Sequence, residues 1–336
     1  MIKNAVAISP ANAVPPYGLF SDSWRLDNGD NKRAEGRFYT KQNPFDCAPF
    51  KQWAERADLP KEKILEPFAG SNNLIKMLQA ANLCKSFAAF DIVPGDKQVA
   101  YRDTLRSFPQ NFNVCVTNPP WLAKNSATRR GLPFPSTKYD DLYKHCLSLS
   151  LLHCGYVAIL IPESFIRTNL FVRRLSAFIS LSANMFEETE HPVGLALFEP
   201  RPKAEPIIYR GAKKLGGLSE LRRHLPPIAD KKGVVFNAPD GNLGLLALDN
   251  NYKASIRFCP SDELQNYEVK ESCRAITKIR VPGPPRIALY NKFISDLRQK
   301  TEDVFLTAYR GIRKDGRYRR RLDYALARDV INCIGY

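Results

Sequence analysis

The sequence predicts an α/β protein with a doubly wound, mostly parallel sheet and a second, smaller C-terminal unit. Three observations predict it. Short apolar runs alternate with helical stretches from Phe38 to about Pro200, the pattern of a sheet covered on both faces. The first of these runs ends in an acid and passes through a Gly-containing turn into a helix, as a Rossmann-like nucleotide fold begins. After Pro200 the alternation gives way to prolines and basic residues, which marks a boundary.

Residues 1–35 are rich in Pro, Asn, Asp and Gly without periodicity and read as an arm. A helix is expected near 45–57, a strand at 64–66 and, after the turn at 67–72, a helix at 73–82. Further strands are expected near 87–91, 114–117, 156–161 and 193–198, with helices near 138–153 and 164–180. Brief strands followed by polar loops place the site at the carboxyl edge of the sheet. The chain thus divides into an arm (1–35), an α/β domain (36–205) and a basic region (206–336).

Pro200, Pro202, Pro206, Pro226, Pro227 and Pro239 punctuate a connector that carries Lys213, Lys214, Arg222, Arg223, Lys231 and Lys232. Beyond it, the apolar runs 243–249 and 252–258 flank Asn250-Asn251, which is expected to form a two-residue hairpin turn. Helices close the chain, interrupted by the run 310–321. That run sets Arg310, Arg313, Lys314, Arg317, Arg319, Arg320 and Arg321 against the single acid Asp315, with Tyr318 among them.

At 336 residues and 44% hydrophobic, the chain can bury a full α/β core and still supply a smaller domain. A formal net charge of +16 points to a polyanionic partner or an acidic surface. No apolar stretch reaches membrane-spanning length, and the N-terminal apolar residues meet Pro10 too soon for a secretory core, so a cytoplasmic location is expected. The eight cysteines form no CxxC pair, which argues against a disulfide framework. His145-Cys146 and His153-Cys154 bracket the apolar run 147–152. Helical spacing turns Cys146 toward the core rather than toward a common ion, and no metal site is expected.

The chemistry concentrates at Asn118-Pro119-Pro120-Trp121, directly after the strand-like run 114–117. An Asn side-chain oxygen and the carbonyl of the next Pro are both acceptors, and a proline-stiffened turn holds them in fixed relation. Together they match the two hydrogens of a planar amino group and aim its nitrogen at an electrophile, which is catalysis by positioning. Trp121 offers a flat apolar wall for a ring. Upstream, Glu66 can accept from an ammonium or hydroxyl, and Gly70 lets backbone approach a ligand. Asp91 ends the second apolar run where an α/β nucleotide site places its ribose partner, and Asp103 suits an adenine amino group.

In this order the segments resemble the amino-methylating DNA methyltransferases, over roughly residues 36–200. That family carries a D/N/S-P-P-Y/F/W signature, of which the NPPW at 118–121 is the form seen in adenine-N6 enzymes. The run 36–40, ending in Tyr39 and Thr40, is similar to its N-terminal cofactor motif, and 65–71, with Pro67, to its methionine-binding loop. The segment 151–164 is similar to the helix, Gly turn, strand and Pro-Ser that follow the catalytic motif, and the motif order is that of the gamma arrangement.

The resemblance implies S-adenosylmethionine as cofactor, held by Tyr39, Thr40, Glu66, Pro67, Gly70, Asp91 and Asp103. It also implies methyl transfer to N6 of an adenine flipped from double-stranded DNA, in a restriction-modification or phage modification system with or without a companion restriction endonuclease. Phe186 and His191 are the two candidates for the second wall of the base pocket. Arg129 and Arg130 are placed to hold the strand left by the base, and the basic run 310–321 to bind phosphates or guanine. Adenine-N6 methylation of RNA, cytosine-N4 methylation of DNA, glutamine methylation and a non-catalytic DNA-binding role stay open as alternatives. One departure stands out. The family loop usually has a second glycine where this chain has Asn72, so the backbone there is expected to be left-handed, which Asn tolerates, or to take another path.

Overall fold

A computed structural model describes residues 40–181, 185–186, 191–228, 233–267 and 273–336. The arm, Tyr39 and Lys231-Lys232 lie outside the described residues. Fifteen strands and seven helices are described. In the first half these are α1 (Ala48–Arg56), β1 (Lys63–Glu66), α2 (Asn73–Ala80), β2 (Ser86–Asp91), β3 (Val99–Tyr101), β4 (Val114–Thr117) and α3 (Lys124–Arg129). Next come α4 (Leu142–His153), β5 (Tyr156–Pro162), β6 (Leu175–Ser180), β7 (Val193–Phe198), β8 (Ile207–Arg210) and β9 (Lys213–Gly217).

Strands β1 to β9 form one sheet in the order β3-β2-β1-β4-β5-β7-β6-β8-β9. The five strands from β3 to β5 run parallel. β7 is antiparallel to both β5 and β6, β6 is parallel to β8, and β9 closes the edge antiparallel. The mostly parallel α/β sheet expected from the sequence is therefore present. Its strands alternate between two cores: Ile64, Val114, Val116 and Leu160 pack on one face with Phe50, Trp53, Leu74 and Leu78, and Leu65, Cys115, Ile159 and Ile161 on the other with Leu147, Phe165 and Phe178. Burial on both faces explains why the strands read as unbroken apolar runs. Gly194 in β7 is required by packing, since a Cβ there would lie 2.1 Å from the Phe178 ring.

The helix expected at 164–180 is a correction. Only Glu163–Arg167 is helical, as a 3-10 turn, and the chain then enters β6. The segment 175–180 is buried at nearly every residue and fills the gap between β7 and β8, where hydrogen bonds are offered on both sides. An apolar run of six residues carries no period that separates strand from helix. The large sheet also continues through β8 and β9, past the composition change near 205.

After β9, α5 (Leu218–Arg222) packs Leu218 and Leu221 into the second core of the large sheet. The C-terminal unit then contains β10 (Val235–Phe236), β11 (Leu243–Leu246), β12 (Arg257–Pro260), β13 (Ile276–Arg280), α6 (Ile287–Thr301), β14 (Thr307–Ile312), β15 (Tyr318–Arg321) and α7 (Tyr324–Ile334). β10 to β13 make an antiparallel sheet, β14 and β15 a two-stranded ribbon, and Leu243, Leu245, Phe258, Tyr290, Ile294 and Val330 share a separate core. β11 and β12 pair as expected, but their ladder ends at Leu246 and Arg257, so the turn is wider than two residues. Asn250 lies within it and accepts from the Tyr252 and Lys253 amides at 2.8 and 2.9 Å.

Candidate active site

The parallel strands end together, and their loops form one wall each of a cleft of about 1040 Å³, including its open mouth. β1 delivers Glu66 and the turn to Gly70, β2 delivers Asp91, β4 delivers Asn118 and Pro119, and Asp103 comes from the loop after β3. Thr40 reaches the same cleft because its carbonyl accepts from Asn73 Nδ2 (2.9 Å) and its backbone bridges Phe186.

The turn after β1 is held by the acid of β2. Gly70 N–H donates to Asp91 Oδ2 at 2.7 Å, and Val93 N–H donates to Asp91 Oδ1 at 2.8 Å. Gly70 has φ 48 and Asn72 φ 61, so the backbone at Asn72 takes the left-handed path, as Asn permits. Behind the turn, Gly95 N–H donates to Gly70 O at 2.9 Å, and a Cβ on Gly95 would meet that oxygen at 3.0 Å.

Glu66 is buried at the floor, 1% exposed, where Oε1 accepts from Thr117 Oγ1 (2.6 Å) and Phe68 N–H (3.1 Å). Its Oε2 is buried without a hydrogen-bond partner among the described residues. Burial pushes the carboxyl up to about 8, with the Asp91 charge adding to the rise against the two hydrogen bonds. An orphaned buried carboxyl oxygen facing a cleft fits a cationic or hydrogen-bonding ligand. Asp103 accepts from the Leu105 and Arg106 amides at 3.2 and 3.3 Å and pairs with Arg106 at 3.4 Å. Pro67 lies behind the lining, its carbonyl accepting from Thr104 Oγ1 at 3.0 Å.

Asn118 Nδ2 donates to Thr40 Oγ1 at 3.4 Å. The chain beyond Trp121 is fastened to the start of α4: Ala123 bridges Asp141, Leu142 N–H donates to Leu122 O (2.9 Å), and Lys124 N–H to Asp140 O (2.8 Å). Trp121 is half-buried between both cores, donates from Nε1 to Leu160 O (3.3 Å), and meets Phe186 edge-on with centroids 5.1 Å apart. Phe186 is buried against Trp121 and His191 is exposed, and the cleft itself is lined by Pro119, Pro120 and Leu122 rather than by either aromatic ring.

Sequence reasoning missed Thr117, whose hydroxyl ties Glu66 to the residue before Asn118, and the apolar lining from Ile92, Val93, Leu105, Leu122 and Leu142. The positions of Thr117 and Ile92, next to Asn118 and Asp91, were the available signals. Of the two His-Cys dipeptides, Cys146 packs with Leu122 and Leu142, and Cys154 with Val157. Among the described residues no group of three His, Cys, Asp or Glu side chains is placed to hold a metal, and no helix is long and apolar enough to cross a membrane.

The basic residues fall into two sets. Arg129 and Arg130 are exposed at the end of α3. In the ribbon, Lys314 and Arg317 are exposed, and Arg319 and Arg321 half-exposed, while the Arg310 side chain lies outside the description. Arg313 and Arg320 correct the expectation of phosphate contact. Arg313 is 4% exposed and pairs with Asp249 at 2.6 Å, and Arg320 is 2% exposed and holds Glu163 at 2.6 and 3.2 Å. A buried, paired guanidinium is out of reach of a polyanion.

No protein-family model and no curated protein matches the chain. Among solved structures it is similar to a Listeria monocytogenes protein named for the class I S-adenosylmethionine-dependent methyltransferases, with 14% identity, 50% of this chain and 65% of that chain covered, and a TM-score of 0.33. It is similar to a type I restriction-modification system methyltransferase subunit from Streptococcus thermophilus, at 20% identity over 52% of this chain and 47% of that one, with a TM-score of 0.36. It is also similar to DrdV in a DrdV-DNA complex, at 15% identity over 59% and 30%, with a TM-score of 0.41. The chain spans less than two thirds of the length of each of these proteins. Likeness of this order concerns the path of the chain, and function has to be read from its own residues.

Proposed function

We propose that the protein transfers a methyl group from S-adenosylmethionine to the exocyclic N6 amine of an adenine flipped out of double-stranded DNA, as the modification enzyme of a restriction-modification or phage system. One observation carries the reading: a single cleft joins Glu66, Gly70, Asp91 and Asp103 to Asn118 and Pro119. A cofactor subsite and an amine clamp that share one cleft are what group transfer between two bound molecules needs.

Glu66, Asp91 and Asp103 would hold the cofactor's ammonium, ribose and adenine, with Gly70 allowing backbone approach and Thr40 closing the pocket. When bound, the cofactor supplies an electrophilic sulfonium methyl. Asn118 Oδ1 and the Pro119 carbonyl accept the two amino hydrogens and direct the nitrogen lone pair along the line of attack. Pro119 and Pro120 keep those acceptors fixed. Trp121, packed edge-on against Phe186, walls the base side. The amine needs no base of special pKa before attack, because its extra proton leaves once the nitrogen has become cationic.

Incubation with tritiated S-adenosylmethionine and unmethylated genomic DNA, RNA or protein, followed by nucleoside and amino-acid analysis, tests the proposal. N6-methyladenine in DNA is expected. Label in N4-methylcytosine, in RNA or in glutamine would replace the substrate assignment, and no transfer to any of them would refute the enzyme. The search for a companion restriction endonuclease follows from the first result.

A further inference from the structure

The basic run at 310–321 is built differently from a solvated charged loop. β14 and β15 form a ribbon whose residues alternate: Tyr318 and Arg320 point inward and are buried, and Arg319 and Arg321 point outward and are half-exposed. The register pairs Thr307 with Arg321 and Ala308 with Arg320, and the Arg319 guanidinium lies 5.4 Å over the Tyr309 ring while its Nε donates to Asp249 O at 2.8 Å. The outward face therefore carries Tyr309, Arg319 and Arg321.

The ribbon is anchored by its inward side. Arg320 grips Glu163, which directly follows β5 at the carboxyl edge where β4 delivers Asn118, and Ser180 Oγ and Arg210 also engage Glu163. Asp249, fully buried, accepts from Arg298 (2.8 Å) and Arg313 (2.6 Å), so the loop at 247–256 is locked to the ribbon. That loop runs alongside the strand: Leu248 bridges Arg321, and Lys314 N–H donates to Asn251 O at 2.9 Å. At the tip Lys314 Nζ sits 4.6 Å from the centroid of Tyr252, a ring that is 62% exposed, and Lys253 is exposed beside it. Among the described residues, the side chains of Lys253, Lys314, Arg319 and Arg321 form no ion pair with a carboxylate, and the nearby acids Asp249 and Asp315 are taken by Arg298 and Arg313.

A six-residue strand spans about 20 Å, and a B-form major groove about 12 Å wide admits a two-stranded ribbon. The deep, narrow major groove of an RNA helix does not. We propose that β14–β15 is a rigid recognition ribbon that lies in the major groove of DNA, with Arg319 and Arg321 facing base edges and Lys314, Tyr252 and Lys253 resting on the phosphate backbone. This deepens the preceding reading and rests on its choice of DNA as partner.

The test uses the full chain and a DNA duplex enriched from a random-sequence pool by binding to it. Arg319→Ala and Arg321→Ala are expected to weaken binding to that duplex about tenfold or more each and to remove protection of guanine N7 from dimethyl sulfate. Lys253→Ala and Lys314→Ala are expected to lower the slope of log affinity against log salt by about 0.9 each without changing the preferred sequence. Cofactor binding by all four variants stays at the wild-type level. Failure to enrich any duplex, wild-type binding by the Arg variants, protection confined to the minor groove, or equal affinity for double-stranded RNA would overturn the ribbon. Methyl transfer to DNA that the ribbon variants leave untouched removes this inference and spares the enzyme. Ribbon-dependent binding by a chain that transfers no methyl group does the reverse.

Discussion

Glu66 makes the sharpest physical prediction, because its burial and its chemistry pull in opposite directions. A carboxyl raised from an ordinary 4.5 to about 8 is protonated in the folded protein at neutral pH and ionised in the unfolded chain. The folded state therefore binds the extra proton, and the group's contribution to stability is complete below pH 4.5 and is lost as pH rises through about 8. At 1.36 kcal/mol per pH unit the whole loss is about 5 kcal/mol, of which about 3 kcal/mol falls between roughly pH 6 and 9. Glu66→Gln keeps an acceptor for Thr117 Oγ1 and Phe68 N–H and cannot ionise. Urea unfolding of both chains across that range should show the variant gaining about 3 kcal/mol on the wild type from pH 6 to 9. Parallel stability curves would mean that Glu66 is already ionised at neutral pH, and that the floor of the cleft is wetter than its burial implies.

Asn118→Ala should leave S-adenosylmethionine binding within a few-fold by calorimetry and abolish methyl transfer, and equal loss of both would make the NPPW loop structural. Cofactor uptake at pH 7 should release close to one proton in the wild type, read from calorimetry in buffers of different ionisation enthalpy, and almost none in Glu66→Gln. Glu163→Gln should cost about 3–5 kcal/mol by leaving the Arg320 charge buried without its partner, a loss that Glu163→Gln with Arg320→Met should largely restore in unfolding measurements. Asn72→Ala should be less stable than Asn72→Gly by about 1 kcal/mol, because only glycine takes the left-handed backbone without strain.

The side of the cleft formed after β1 and β2 was legible because the fold ties it to local order: a strand end, a tight turn and an acid at the next strand end follow one another in sequence. Glu66, Gly70, Asp91 and Asp103 could thus be picked out singly and found together in space. The left-handed Asn72 was legible for the same reason, since its conformation depends on its own Cβ. β6 was not, because what makes 175–180 a strand is the pair of neighbours β7 and β8, which lie elsewhere in the chain. Trp121 shows the middle case. Its place in the motif was plain, but its indole spends its N–H on Leu160 O and its edge on Phe186, contacts set by β5 and by a segment about 65 residues later.

The basic run divides along the same line, and the division bears on how its charge is used. Counting residues gives seven cations in a row of surface positions, and the strand period assigns alternate ones to opposite faces. That period is readable only once the run is known to be a ribbon, which its two glycines and Asp315 disguise as a loop. Arg313 and Arg320 then face carboxylates that sequence places far away, Asp249 and Glu163, and their charge goes into fixing the ribbon rather than into the protein's outward field. A net charge of +16 consequently overstates the attraction available at this site, while the anchoring makes what remains more directional. Lys314, Arg319 and Arg321, without carboxylate partners among the described residues on a ribbon held by buried ion pairs, pay less ordering entropy on meeting a polyanion than seven cations on a mobile loop would.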